Sequence, residues 1–338
     1  MDEFELISRY FKREQDYPNI PLAVGDDCAI ASIPAGKQLV FSIDTLLPDV
    51  HFFSGSDANL IAERALRVSL SDLAAMGATP LCFTLALSLP EVNEEWLASF
   101  SEGLHQAAAL FSCPLVGGDT VRGPLCISIQ VQGLVDEGKA ICRGGAEVGD
   151  DVFVSGPMGD GAAALHMLKE LLQETESDEP QDVLDIDEDD REYLIERYFR
   201  PEPQLSLGQA LEGVASSAID VSDGLVADLG HICRASGVAV SLSLEAIPYS
   251  VGLSVLAANL AEMCDVPSTM AQDWVLHGGD DYQLCFTVPK AKRSLLEERM
   301  KGLDVTIAHI GEVVAGSGVR SSASGDAITA KGYRHFAS

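Results

Sequence analysis

Apolar positions follow two rhythms along the chain. Near the start, Phe4, Ile7, Tyr10 and Phe11 mark one face of a helix. Leu60, Ile61, Ala65, Val68 and Leu73 recur at near-helical spacing in a longer helix from about Ala58 to Met76. Between and beyond these, 38–44 (QLVFSID), 82–89 (CFTLALSL) and 125–135 (LCISIQVQGLV) read as strands, 94–111 as a helix, and 113–119 (CPLVGGD) as a short strand and turn. The polar, glycine-rich stretch 136–149 predicts a boundary, which gives domains over 1–140 and 141–338. The second half restarts with strand 151–156, a helix over 160–172, an acidic loop over 174–190 and a helix near Tyr193. Strand 217–222, a helix after Asp223, and strands at 238–244, 282–289 and 306–314 complete it. The coarse architecture is two α/β (α+β) units with mixed sheets.

Composition narrows the class. Hydrophobic residues make up 47% and charged residues 22%, the balance of a globular chain of 338 residues with room for two cores. The amino-terminal MDEFELISRYFKREQ opens with acids and has no apolar run, so neither a secretory leader nor a membrane helix is expected. Eight cysteines are scattered without C-x-x-C pairs, as buried apolar side chains in a reducing cytoplasm would be. Asp and Glu number 52 against 22 Lys and Arg, a formal charge of −30. That field repels nucleic acid and anionic membranes. It repels ATP as well, so a nucleotide site here needs bound cations to invert the local potential.

The acids are not spread evenly. Gly or Ser beside aspartate recurs at Gly25-Asp26-Asp27, Ser42-Ile43-Asp44, Ser71-Asp72, Gly117-Gly118-Asp119, Asp220-Val221-Ser222-Asp223-Gly224 and Gly278-Gly279-Asp280-Asp281. Helix capping explains any one of them. It explains neither the glycines nor the pairing of acids, because adjacent carboxylates repel unless protonated or bridged by a cation. Magnesium takes oxygen ligands and keeps waters and substrate phosphates in its shell, which suits dispersed carboxylates. No G-x-x-x-x-G-K-[ST] and no protein-kinase motif set is present. Gly156, Gly159 and Gly161 have the wrong spacing for a dinucleotide loop and read as a tight helix entry.

Seven stretches, VGDDCAI, SIDTLLPDVHF, ALRVSLSDLAAMGATP, LVGGDTVRGPL, AIDVSDGLVADLGHI, GGDDYQLCFTVP and KGYRHF, together resemble the thiamine-monophosphate kinases. That family sits in the aminoimidazole ribonucleotide synthetase-like superfamily, and the likeness runs from near residue 20 to the carboxyl end. The reactive cysteines of two sister families, selenophosphate synthetases and a hydrogenase maturation factor, are missing where those families carry them. The resemblance implies a two-domain fold whose amino-terminal domain binds ATP and Mg2+ and forms a homodimer through a β-barrel, with the second domain closing over the active site. It implies ATP-dependent phosphorylation of thiamine monophosphate to thiamine diphosphate, with several Mg2+ ions and no general base.

Residue by residue, the resemblance makes Asp27, Ser42, Ile43, Asp44, Asp72, Asp119, Asp220 and Asp223 the metal set. Gly118, Asp119, Arg143 and Ser222 would contact ATP, and His51, Asp280 and Tyr333 the thiamine phosphate. Two places depart from the family pattern. Ile43 stands where Thr is usual, which leaves only its backbone carbonyl as a ligand, and GGDDYQ replaces G-G-E-D-Y-E, shortening one acid at Asp280 and neutralising another at Gln283.

Overall fold

The computed structural model describes residues 3–13, 16–176, 186–263 and 269–332. The chain divides into two compact units, Met1–Ala140 and Ile141–Ser338.

In the first unit, helix α1 (Glu3–Leu6) passes directly into a π-type turn over Ile7–Phe11, closed by a bond from the Lys12 N–H to the Ile7 carbonyl. The wider turn shifts the buried face to Leu6, Tyr10 and Phe11 and leaves Phe4 80% exposed, so the four-residue stripe expected from helical spacing is broken. Strands β1 (Lys37–Leu46), β2 (Thr79–Leu89), β3 (Leu115–Arg122) and β4 (Cys126–Asp136) form one sheet in the order β1-β4-β2-β3. β4 pairs antiparallel with both β1 and β2, and β3 runs parallel to β2 at an edge. The pleat sorts β4 cleanly: Ile127, Ile129, Val131 and Val135 are buried, while Ser128, Gln130 and Gln132 are half-buried on the other face. The 113–119 segment is not a strand followed by a turn, since β3 continues past Asp119 to Arg122 in register with Leu89. Helices α2 (Ala58–Ala75) and α3 (Glu94–Leu110) pack together, with α2 also against β1 and β4. Asn93 starts α3 by accepting the Glu95 and Trp96 N–H groups at 3.1 and 3.0 Å, and Glu94 and Glu95 complement the helix dipole.

The second unit is built on a six-stranded sheet. Its strands are β5 (Asp151–Ser155), β6 (Ser217–Val221), β7 (Ala239–Leu242), β8 (Gln283–Val288), β9 (Ile307–Val314) and β10 (Gly318–Ser321), in the order β10-β7-β9-β5-β8-β6. All neighbours are antiparallel except β10 and β7. Every residue of β5, β6 and β8 is buried, so their middles run consecutively apolar (Val152-Phe153-Val154, Ala218-Ile219, Leu284-Cys285-Phe286) while Asp151, Ser155, Ser217, Asp220, Gln283 and Thr287 are buried polar groups among them. Helices α4 (Asp160–Glu176), α5 (Glu188–Phe199), α6 (Leu205–Ala210), α7 (Leu225–Ser236), α8 (Val251–Met263), α9 (Met270–His277) and α10 (Arg293–Met300) complete the unit. The acidic run expected as a loop over 174–190 is helical at both ends. Asp187 caps α5 by accepting the Asp190 N–H, and Glu188, Asp189 and Asp190 fill its first turn, where negative charge is favoured. Residues 177–185 of that run lie outside the described residues.

At the sheet centre Phe286 of β8 is fully buried and stacks on Phe153 of β5 with ring centroids 5.6 Å apart. Phe286→Ala leaves a cavity there and should lower unfolding free energy by about 3–5 kcal/mol in urea titrations. A loss below about 1 kcal/mol would show that this stack is not the packing centre.

Candidate functional site

On β1 the two-residue repeat divides the candidate ligands. Val40, Ser42, Asp44 and Leu46 alternate with Leu39, Phe41 and Ile43, which are exposed on the opposite face. Asp72 lies in the last turn of α2, and its carboxylate accepts a hydrogen bond from the Ser42 hydroxyl. The Ser69 hydroxyl, one helical turn earlier, donates to the Ala65 carbonyl at 3.1 Å and lies near enough to Asp44 to favour its charged form. Burial, followed by the negative charge of Asp72, pushes Asp44 up to about 6, against the influence of Ser69. Ser42, Asp44 and Asp72 thus form one oxygen-lined patch in which two carboxylates repel. The Ile43 side chain points away from it and is 61% exposed, so only its main chain can take part.

The other first-unit residues are placed separately. Asp27 is on the exposed bend after Gly25, its N–H bonded to the Asp26 carboxylate at 2.8 Å. Asp119 sits on edge strand β3. The register runs Asp44, Ile129, Leu85, Gly118 across the sheet, which separates β1 from β3 by three strand spacings, about 14 Å. Asp119 pairs with Ala86, on the face turned away from α2. A side chain at Gly118 would place its first carbon 1.9 Å from the Leu85 carbonyl oxygen, so β2 and β3 approach here only because that residue is glycine. Among the described residues, no three acidic, imidazole or thiol groups gather closely enough to hold a metal ion.

His51 stands on a turn after β1 that the protein holds from two sides. Its Nδ1 accepts the Leu47 N–H at 3.1 Å, and its carbonyl accepts Nε of Arg64 at 2.9 Å. The first bond places the proton of the neutral ring on Nε2. Arg64, only 1% exposed in α2, is a tether that the sequence reading did not single out.

In the second unit, the Asp220 to Gly224 and Gly278 to Tyr282 segments lie back to back. The Asp280 N–H bonds the Ser222 carbonyl at 3.0 Å, and the Tyr282 N–H bonds the Val221 carbonyl at 2.8 Å. A side chain at Gly279 would meet the Ser222 carbonyl oxygen at 2.2 Å. Asp280 and Tyr282 both adopt left-handed backbone angles, and the Tyr282 hydroxyl donates to Asp280 at 3.0 Å. The carboxyl-terminal tail joins them, because the Gly332 backbone lies against the Asp223 carbonyl, where a side-chain carbon would come within 2.4 Å. Tyr333, the next residue, lies outside the described residues. Asp220 is buried on β6, and Ser222 and Asp223 are half-buried. Arg143 is exposed, and its charge and that of Asp223 both act on the His231 imidazole, which burial foremost lowers.

Two buried acids here were not among the candidates. Asp228, in the first turn of α7, accepts the N–H groups of Ser222, Asp223 and Gly224 at 3.1, 3.0 and 3.1 Å. Asp281 accepts the N–H groups of Gly159 and Gly161 at 2.8 and 3.2 Å, and burial pushes it up to about 8. That bonding fills the amino end of α4, in keeping with the glycines there being a helix entry and not a phosphate loop. Gln283 is 2% exposed and accepts the Ser155 hydroxyl at 2.7 Å. A neutral amide suits that interior position, where a carboxylate would need a compensating charge.

Known proteins carry the same design. Residues 25–135 match the amino-terminal domain of AIR synthase related proteins and residues 147–323 the carboxyl-terminal domain, so the chain is a two-domain AIR synthase related protein. Thiamine-monophosphate kinase of Escherichia coli K12 is 42% identical over 339 residues, covering 99% of this chain and 98% of that one. The crystal structure of thiamine-monophosphate kinase from Stenotrophomonas maltophilia K279a superposes with a TM-score of 0.80 at 40% identity, covering 92% of each chain. A structure described as AaThiL complexed with AMPPCP and TMP gives 0.74 at 30% identity, covering 90% of this chain and 89% of that one. The chain belongs to the thiamine-monophosphate kinase family. It is a kinase, and no helix among the described residues is long and apolar enough to cross a membrane.

The Asp44 shift generates a testable pH dependence. Its folded value of about 6 lies above the ordinary 3.8, so stability present below pH 3.8 is lost as pH rises through about 6 in metal-free protein. Urea titrations in chelator at about pH 4.5 and about pH 7.5 should show a smaller stability difference for Asp44→Asn than for the unsubstituted chain. An identical difference in both proteins would rule out this titration.

Proposed function

We propose that this chain transfers the γ-phosphate of ATP to thiamine monophosphate, yielding thiamine diphosphate and ADP, in the cytoplasm and as a homodimer. The observation that carries the reading is the Ser42, Asp44 and Asp72 patch within a chain of this family: two carboxylates held against each other despite their repulsion. All-oxygen donors of this kind fit Mg2+, which is commonly held by one or two carboxylates while waters and substrate phosphates fill the rest of its shell. Asp44 and Asp72 would hold such an ion, with Ser42 and the Ile43 carbonyl beside them. Asp27, Asp119, Asp220 and Asp223 are the further ligands of the proposal. Bound there, Mg2+ supplies neutralisation of the two phosphate groups that must meet.

The chain's own groups do the rest. The acceptor is a phosphate monoester, largely dianionic at neutral pH, so its oxygen attacks the γ-phosphorus without a general base. The bond from that phosphorus to the β–γ bridging oxygen breaks in line, and ADP leaves with the electron pair. Gly118 gives the nucleotide close approach to backbone, and Ser222 and Arg143 contact its phosphates. His51 would donate from Nε2 to the thiamine phosphate, held in aim by Arg64 and the Leu47 N–H. Asp280 and Tyr333 are the other residues proposed for thiamine phosphate recognition. In this division 1–140 would handle ATP, metal and dimerisation.

Support for the dimer is the outward face of β1, where Leu39, Phe41 and Ile43 are 42%, 68% and 61% exposed. An apolar row of this kind on an edge strand calls for cover. Cys82, Cys113, Cys233 and Cys285 are buried thiols, which suits a reducing compartment.

With ATP, Mg2+ and thiamine monophosphate, the purified protein should form ADP and thiamine diphosphate in equal amounts. Asp72→Asn should reduce the rate at least a hundredfold with an unchanged melting temperature, about 3 kcal/mol of barrier. Absence of thiamine diphosphate from the unsubstituted protein, or a normal rate in the variant, would refute the assignment. Sedimentation should give a dimer for the unsubstituted chain and a monomer for Phe41→Asp. A monomeric unsubstituted chain would remove the β1 face from the proposal.

A further inference from the structure

We propose that Asp228 is a positioning residue that sets the polarity of the Asp220 to Gly224 turn. The inference rests on the function proposed above and deepens it. Three consecutive N–H groups, from Ser222, Asp223 and Gly224, converge on one oxygen, Oδ2 of Asp228, at 3.0 to 3.1 Å. Successive amides bent towards one point form a concavity that binds anions, and in many α/β proteins that anion is a substrate phosphate. Here the protein's own carboxylate fills it from inside, and Asp228 is only 3% exposed.

The consequence is directional. With its amides drawn inward, the turn has only oxygen-bearing side chains to offer outward, the Ser222 hydroxyl and the Asp223 carboxylate, both half-buried and not interior. The Val221 and Ser222 carbonyls are occupied by the Tyr282 and Asp280 N–H groups. Gly224, with φ of 116°, lets the chain leave this arrangement into α7. A turn that would otherwise attract phosphate directly is thereby made one that attracts a cation. Loss of the Asp228 charge frees the three amides to rotate and the Asp223 carboxylate to swing out of line.

Hydrogen exchange on the unsubstituted protein tests this without activity. Peptides spanning 221–225 should exchange slowly before any ligand is added. Adding Mg2+ with β,γ-methylene ATP should change their rate by less than about twofold, because the amides are already taken. Fast exchange in the free protein, slowed about tenfold or more by the analogue, would mean that phosphate and not Asp228 binds them, and would overturn the proposal. Kinetics of Asp228→Asn give a second reading: the KM for Mg-ATP should rise about tenfold, with kcat within about threefold and the KM for thiamine monophosphate within about twofold. A folded variant with unchanged KM for Mg-ATP overturns it, as would a fall in kcat alone, the mark of a purely structural role. If the variant does not fold, the exchange result on the unsubstituted chain decides. Failure of that chain to make thiamine diphosphate would count against the proposed function and leave the exchange outcome standing.

Discussion

Like charges held close together are the constraint around which the site is organised. Asp44 and Asp72 face each other between β1 and α2, and Ser42, which bonds Asp72, fixes that carboxylate without neutralising it. A chain with a formal charge of −30 has little cation of its own to spare for two phosphate groups. The acids divide into two populations by direction. Asp228 and Asp281 turn inward and consume backbone amides, including those at the start of α4. Asp44, Asp72 and Asp223 remain partly open to solvent. Inner acids therefore occupy main-chain N–H groups that a phosphate could otherwise bind, and the outer acids are the ones the proposed function gives to metal.

Much of this was legible because the relevant residues obey local rules. The alternation of β4 and the apolar stripe of α2 follow from which faces are buried, and both elements appear where their periodicity predicts. The Gly-Asp and Ser-Asp pairs were visible because capping alone does not call for them. What escaped depended on distant partners. β3 extends past Asp119 only because β2 lies alongside it, and the π-type turn after α1 moves the buried face by an amount no spacing rule anticipates. Helix α8 is apolar on most sides and so shows no clear stripe, and β10 is four residues long. Asp228 and Arg64 carried no signal, since their partners are main-chain atoms that any sequence supplies, and Asp281 stood out only as part of its Gly-Gly-Asp-Asp turn, with nothing to show that it bonds inward.

Two of the three departures from the family pattern, at residues 43 and 283, have local explanations, and the shortened acid at Asp280 has none. At residue 43 the side chain lies on the outer face of β1 beside Phe41 and Leu39, so an isoleucine adds to an apolar row and leaves the acid pair untouched. At residue 283 the side chain is inside the second sheet, bonded to Ser155, which in turn accepts the Leu284 N–H. Both substitutions follow from where the strand pleat sends the side chain, not from any change in chemistry at the acids.

The inward use of amides also bears on how a turnover ends. A phosphate gripped by main-chain N–H groups stays attractive to them whatever its charge state or company. Here those groups are already spent on Asp228 and Asp281, so under the proposed function neither of these turns offers free main-chain N–H groups to a spent nucleotide once the ion loosens. On that proposal the acids that call for a cation on entry also repel the departing anion once the cation is gone.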